Sequence, residues 1–287
     1  MIGHRPFLER LAGRVVARPY RDAQGHKGWL GPLAHAQPHI VRRHSLRLPG
    51  WPRFERALRI VFLSDLHVGS HTGDVARYAA IAREAAAFEP DLVLFGGDYA
   101  NMQLFGGGRV PPEAVAGLLS GIEGRHGRFA VLGNHDYIYG EREVAAALRG
   151  RGIAVLDHER GTFAYENHAI DVLGVPDAHL LRPQGRALLA GLTPPRPAIV
   201  LAHDPMWFAE VPAGPYLTLS GHTHGGQIAL PGFGAIINAS RAPMHWTHGL
   251  VTEGGRHLVV TAGLGTSGLP LRIGVPPEYA VIEVTGP

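Results

Sequence analysis

Two imidazoles, His222 and His224, stand one residue apart in SGHTHGGQI (220–228), directly after the alternating run YLTL (216–219). Period-two spacing in an extended segment points both rings to one face, as a metal site requires. Four other strand-like runs end in residues of the same kind. RIVFL (59–63) leads into SDLH with Asp65 and His67, DLVLF (91–95) into GGD with Asp98, RFAVL (128–132) into GNHD with Asn134, His135 and Asp136, and AIVLA (198–202) into HD with His203. Each element alone is weak. D-x-H can be a capping Asp beside a surface His, GD an ordinary turn, and His203 a satisfied core residue. Their conjunction carries the signal, because strand exits are where open α/β folds place ligands and the strands themselves stay apolar.

The chain has no cysteine, so any metal must be held by imidazole and oxygen ligands. This set suits two divalent cations. Cations about 3.5 to 4 Å apart repel one another, and a shared carboxylate offsets that repulsion; Asp98 is the candidate bridge. Neutral imidazoles supply affinity for Mn, Fe or Zn and leave the pair a Lewis acid. Glycines at 96, 97, 133, 221, 225 and 226 read as bare backbone where an anionic substrate approaches.

These residues need elements to position them. Between the early runs lie helical patterns, DVARYAAIAREAAAF (74–88) with Asp74 as an N-cap and EREVAAALRG (141–150) ending on glycine. Alternating strands and helices predict βαβ units. Further runs at 153–156, 169–175, 257–262 and 279–284 are joined more tightly and predict antiparallel pairing. The expected class is α/β, a two-sheet β-sandwich flanked by helices.

In order, DLH, GGD, GNHD, H and GHTH resemble the blocks of the calcineurin-like metallophosphoesterases, across residues 59–285. The ending GLGTSGLPLRIGVPPE (263–278) resembles a bacterial, phosphodiesterase-like branch, with Ala262 where that branch often carries an arginine. The resemblance implies one metal held by Asp65, His67, Asp98 and His224 and a second by Asp98, Asn134, His203 and His222. It implies a bridging hydroxide as nucleophile. His135 would be no ligand but a donor to the leaving oxygen, with Asp136 fixing its orientation.

Charge divides the chain into an arm, 1–55, and a catalytic domain, 56–287. Residues 1–50 hold nine Arg or Lys against two acidic residues, a balance of +7 that leaves −4 for the remainder. Leu8, Leu11 and Val15 share a helical face beside Arg10, Arg14, Arg18 and Arg21. That is either a basic amphipathic segment for an anionic membrane or an arm packed on the body. The acidic body, with no aromatic-basic stripe, argues against nucleic acid as partner. No run reaches the roughly 18 apolar residues of a membrane span, and the expected location is the cytoplasm, at most peripheral to the inner membrane. The expected substrate is a small-molecule or lipid-linked phosphoester, foremost a phosphodiester. A nucleotide-diphospho-lipid of the UDP-acyl-sugar type is the enzymatic alternative, and a non-catalytic metal-binding scaffold the alternative of another class.

Overall fold

The structure is a computed structural model that describes residues 35–102, 108–177, 183–230, 234–235 and 238–287. Its strands are β1 (Ile40–Arg47), β2 (Leu58–Leu63), β3 (Leu92–Phe95), β4 (Arg128–Ala130), β5 (Ala154–Val155), β6 (Glu159–Tyr165), β7 (His168–Val175), β8 (Ala198–Ala202), β9 (Tyr216–Ser220), β10 (Ala229–Leu230), β11 (Gly234–Ala235), β12 (Gly249–Glu253), β13 (Arg256–Val260) and β14 (Glu278–Thr285). The helices are α1 (Asp74–Ala86), α2 (Pro112–Leu119), α3 (Asn134–Arg149) and α4 (Pro183–Ala190). The strands join in two six-stranded sheets, β1-β14-β2-β3-β4-β5 and β12-β13-β9-β8-β7-β6, with β10 and β11 as a separate ribbon.

Alternation along β2 sets the layers. Ile60 and Phe62 face inward with Leu92 and Leu94 of β3, and meet Val172, Ile199, Leu201, Leu217 and Leu219 of the second sheet. Val61, Leu63, Val93 and Phe95 face outward under α1, α2 and α3, through Tyr78, Ile81, Val115, Leu119, Val144 and Leu148. On the far side, Val200 and Ala202 are covered by Leu189 of α4 and by Trp207 and Phe208 of a 3-10 turn (Pro205–Glu210). The product is the expected α/β sandwich of two sheets flanked by helices.

Strand directions differ from expectation in the second sheet. Its antiparallel pairs are the hairpins β6–β7 and β12–β13, whereas β7, β8, β9 and β13 run parallel. Parallel neighbours need a crossover of about a dozen residues. Between β8 and β9 that crossover is the 3-10 turn, which carries no helical period for the sequence to display.

Two helix starts also differ. Gly73, at φ 76°, caps α1, and the Asp74 carboxylate instead accepts from the amides of Gly69 and His71, each at 3.0 Å. α3 begins at Asn134, directly after the β4 exit, and bends at Gly140 (φ 149°) before the stretch that reads as helical.

β1 falls where the sequence shows only scattered arginines. It is an edge strand parallel to β14, and its IVRRHSLR pattern is the charged edge that discourages further pairing. Arg42 of β1 donates to Glu278 Oε2 at 3.0 and 3.2 Å, while Glu278 Oε1 accepts from His248 Nε2 at 2.8 Å and Ala262 N at 3.1 Å. Burial alone would raise the Glu278 pKa, but the His248 bond and charge, the Ala262 amide and Arg42 bring it down to about 2. A carboxyl depressed from 4.5 to about 2 stabilises the fold above pH 4.5, and that contribution is lost as pH falls through 2. Glu278→Gln should therefore cost about 3 kcal/mol at pH 7, with the gap narrowing between pH 4.5 and 2. Urea midpoints of both proteins at pH 7, 4 and 3 check this; a gap independent of pH would refute it.

Candidate metal centre

β2, β3 and β4 are parallel neighbours in one sheet, and β8 and β9 in the other. Their exits deliver side chains to a single place. The backbone there is unusual, since Asp65 (φ 52°), His67 (40°), Asp98 (57°), His222 (66°) and His224 (52°) are all left-handed. That conformation costs a non-glycine residue about 1–2 kcal/mol and persists where the surrounding structure over-determines it, as it does at functional sites. His222 and His224 are therefore not extended, and strand alternation is not what turns their rings together.

Two sets of ligand atoms result. In the first, His224 Nε2 lies 3.2 Å from His67 Nε2 and 3.5 Å from Asp65 Oδ1, and His67 Nε2 lies 3.5 Å from Asp98 Oδ2. In the second, His203 Nε2 lies 3.2 Å from His222 Nδ1, 3.3 Å from Asn134 Oδ1 and 3.5 Å from the same Asp98 Oδ2. Ligands bound at about 2.1 Å to one ion sit roughly 3.0–3.5 Å from each other. Asp65–His67–His224 and Asp98–His203–His222 are both groups that could hold a metal ion. The sets meet at Asp98.

The tautomers suit the task. His203 Nδ1 lies 2.7 Å from Gly96 O and His67 Nδ1 3.2 Å from Ala100 O. A carbonyl can only accept, so each Nδ1 carries a proton, and Nε2 is the ring atom that each directs toward Asp98. His222 presents Nδ1 instead, its Nε2 lying 3.7 Å from Asp204 Oδ2. Asp204 also caps the following turn, accepting from Met206 N at 2.8 Å.

Burial opposes ionisation of Asp98, yet the His203, His135 and His67 rings beside it hold its carboxyl well below the usual range. Burial, with Asp98 nearby, pushes Asp65 up. The His67 ring is lowered to about 3 by burial and by His135, and His224 is lowered by burial, His67 and Arg272, so both are neutral donors at pH 7. His203 is burdened by burial but raised by Asp98. A cation at its Nε2 must displace that proton, so uptake releases protons and weakens as pH falls. In donor type, spacing and tautomer the residues fit divalent cations.

His135 and Asp136 stand differently. The His135 amide donates to Asp98 Oδ1 at 2.9 Å, and its ring lies edge-on to His67 with centroids 4.7 Å apart. Its Nε2 is 3.3 Å from Ser267 Oγ, while its buried Nδ1 has no hydrogen-bond partner among the described residues. His67, Asp98 and His135 form a third group within reach of an ion. Asp136 does not take the place beside that ring which the resemblance implies. Its carboxylate accepts from the amides of Asp98, Tyr99, Ala100 and Gly133 at 2.8 to 3.1 Å, which staples the β3 exit to the β4 exit.

The glycines have another use than the one the sequence suggested. A Cβ on Gly133 would stand 2.1 Å from Asp98 Oδ1, and one on Gly221 would stand 2.1 Å from Asp65 Oδ2. These two glycines make room for the chain's own carboxylates.

Among other histidines, His71 is buried with Nδ1 3.0 Å from Ser70 Oγ, and His245 lies outward, 3.3 Å from Glu253. Asp177 is partly exposed, and His179 lies outside the described residues. Trp207 and Trp246 are core, donating to Pro176 O and Glu253 Oε2. Ser267 and Arg272 were missed. Both lie in a loop whose composition has no ligand character, and only tertiary contact singles them out.

A sandwich of two sheets that gathers Asp, Asn and His at its strand exits, in groups that could hold a metal ion, has the site of a metal-dependent enzyme. Residues 58–226 match the family model of the calcineurin-like phosphoesterases, and the chain belongs to that family, whose members hydrolyse phosphoric esters. It is similar to the uncharacterized metallophosphoesterase YkuE of Bacillus subtilis, 28% identical over 99% of this chain and 98% of the relative. Phosphodiesterase YaeI of Escherichia coli is also 28% identical, over 99% of this chain and all of the relative. An uncharacterized metallophosphoesterase of Helicobacter pylori is 30% identical over 81% of this chain and 61% of its own length.

Proposed function

We propose that the chain is a phosphodiesterase working with two divalent cations, Mn, Fe or Zn, which share Asp98. The observation that supports this best is the meeting of two ligand sets at Asp98 Oδ2, 3.5 Å from both His67 Nε2 and His203 Nε2. Asp65, His67 and His224 hold one position, and Asn134, His203 and His222 the other. Bound cations would acidify water to a nucleophile near neutral pH and offset the charge of the phosphoryl group. The protein's own part is then geometric and acid–base. Asp98 fixes the separation, and its second oxygen holds the His135 amide. His135 donates a proton to the leaving oxygen, and Ser267 Oγ holds its ring from the far side. Asp136 acts one step removed, by fixing the amide of Asp98. The name of YaeI adds weight to a diester over a monoester.

A lipid-linked substrate is the second reading. Leu269 is 53% and Ile273 42% exposed, on the loop whose Ser267 meets His135. An apolar lip beside an ionic site suits an amphiphilic ester better than a small sugar phosphate. β1 takes Ile40–Arg47 of the basic arm into the sheet, and the amphipathic stretch from Leu8 to Arg21, which lies outside the described residues, is proposed to meet anionic lipid.

One assay separates the readings. Chelator-stripped protein reloaded with Mn2+ is offered a chromogenic phosphodiester, the corresponding monoester and a diphosphate-linked acyl sugar. Metal-dependent cleavage of the diester above the monoester is expected. Preference for the diphosphate would move the assignment to the lipid-linked class, and no turnover of any with two metals bound would favour a scaffold.

A further inference from the structure

We propose that Arg272 is a positioning residue for one cation position only, the one framed by Asp65, His67 and His224. The inference rests on the two-cation reading above. Arg272 is 3% exposed, and among the described residues its hydrogen bonds go to no carboxylate. Nε donates to Gly265 O at 3.0 Å, Nη2 to Gly265 O at 2.5 Å and Ala262 O at 2.6 Å, and Nη1 to His224 O at 3.3 Å. A buried guanidinium with no carboxylate hydrogen-bonded to it is tolerable only when its donors are satisfied in this way.

What it grips is the wall behind one half of the centre. The amide of Gly265 donates to Asp65 O at 2.7 Å and that of Leu264 to Ser64 O at 3.3 Å. Arg77 Nη2 takes Leu264 O at 2.6 Å, so the loop is held by two guanidinium groups. A Cβ on Gly265 would come within 2.9 Å of the His67 Cβ. Nη2 also lies 3.2 Å from Gly263 O and 3.3 Å from His224 Nδ1; since Ala262 O and Gly265 O are nearer acceptors for its two protons, the ring contact is packing that fixes the ring edge. Arg272 thus reaches His224 directly, and Asp65 and His67 through the loop. None of these contacts reaches Asn134, His203 or His222.

Its positive charge repels a cation nearby, so what it contributes is geometry. That separates two variants. Arg272→Lys keeps the charge and loses the planar fork; Arg272→Gln loses the charge and keeps one pair of donors. Mn2+ bound per chain is measured by equilibrium dialysis on the full-length protein, with circular dichroism and melting of the stripped chains as the control for folding. Wild type should bind two ions. Each variant should bind one at wild-type affinity and the other roughly 10- to 100-fold more weakly, the size of effect that loss of a supporting partner has, and lysine should not rescue. Two ions at wild-type affinity in either folded variant, or equal weakening of both, would overturn the proposal. A wild type that binds fewer than two would sink the two-cation reading instead. A measurement on the wild type needs no variant: hydrogen exchange of residues 262–266 should slow on filling one of the two Mn2+ steps and not the other. Protection that is absent, or equal in both steps, would also count against Arg272.

Discussion

Asp98→Ala should fold, bind neither cation at useful affinity, and lose all metal-dependent turnover. Asp98 is the residue common to both ligand sets, its Oδ2 lying 3.5 Å from a ring nitrogen in each. Removing it takes a ligand from both and the negative charge that offsets repulsion between them. The loss in affinity should exceed the roughly 10- to 100-fold that a supporting residue costs. The fold is expected to survive, because the like charge by which Asp98 raises Asp65 and Asp136 offsets part of what its own pairing with the His rings contributes. Thermal melts with and without Mn2+ give the clearest test. Each site held at 100 times its dissociation constant adds about 2.7 kcal/mol to the wild type, and the variant should show no metal-induced rise. A variant that still gained half the wild-type increment would mean that Asp98 serves one ion only. Asp98→Asn, which keeps the shape, should fall with Asp98→Ala if the charge is what the pair requires.

His135→Ala should keep both cations and lose about 100-fold or more in turnover, the range for removal of a general acid. The structure sharpens the alternative, because His135 also forms a group with His67 and Asp98 that could hold an ion. Dialysis against Mn2+ decides between the two roles: a lost equivalent makes His135 a ligand. If both equivalents stay, leaving-group dependence tests the proton donation. An alkoxide needs a proton as it departs and a nitrophenolate does not, so the deficit should be large for alkyl diesters and small for nitrophenyl diesters. An equal deficit for both would assign His135 to holding the phosphoryl group.

How far the site could be read in advance differs from residue to residue. Asp65, His67, Asp98, Asn134, His203, His222 and His224 were legible because donors cluster after apolar runs, and the structure brings all of them together. Strand alternation does not explain His222 and His224, since both are left-handed and present different nitrogens to different neighbours. Asp136 was legible as polar but not as a staple for four amides, because its partners come from the next strand exit as well as its own turn. Ser267 and Arg272 carried no local mark. β1 was missed for a related reason: half of its residues are Arg or His, and only pairing with β14, from the other end of the chain, makes it a strand.

The sequence by itself determined the chemistry available: oxygen and imidazole donors without thiolate, the order of the exits, and the apolar runs that make two sheets. Those properties are local, fixed by residue type and by periods of a few positions. Tertiary structure alone decided which donors come together, which nitrogen each ring turns to its neighbours and which backbone carbonyls fix the tautomers. It also decided that Arg272, far along the chain, grips the loop behind Asp65. Most of these depend on strand exits of two different sheets meeting at one place, and contacts such as Asp65 with His222 or Gly96 with His203, more than a hundred positions apart, leave no period in the sequence.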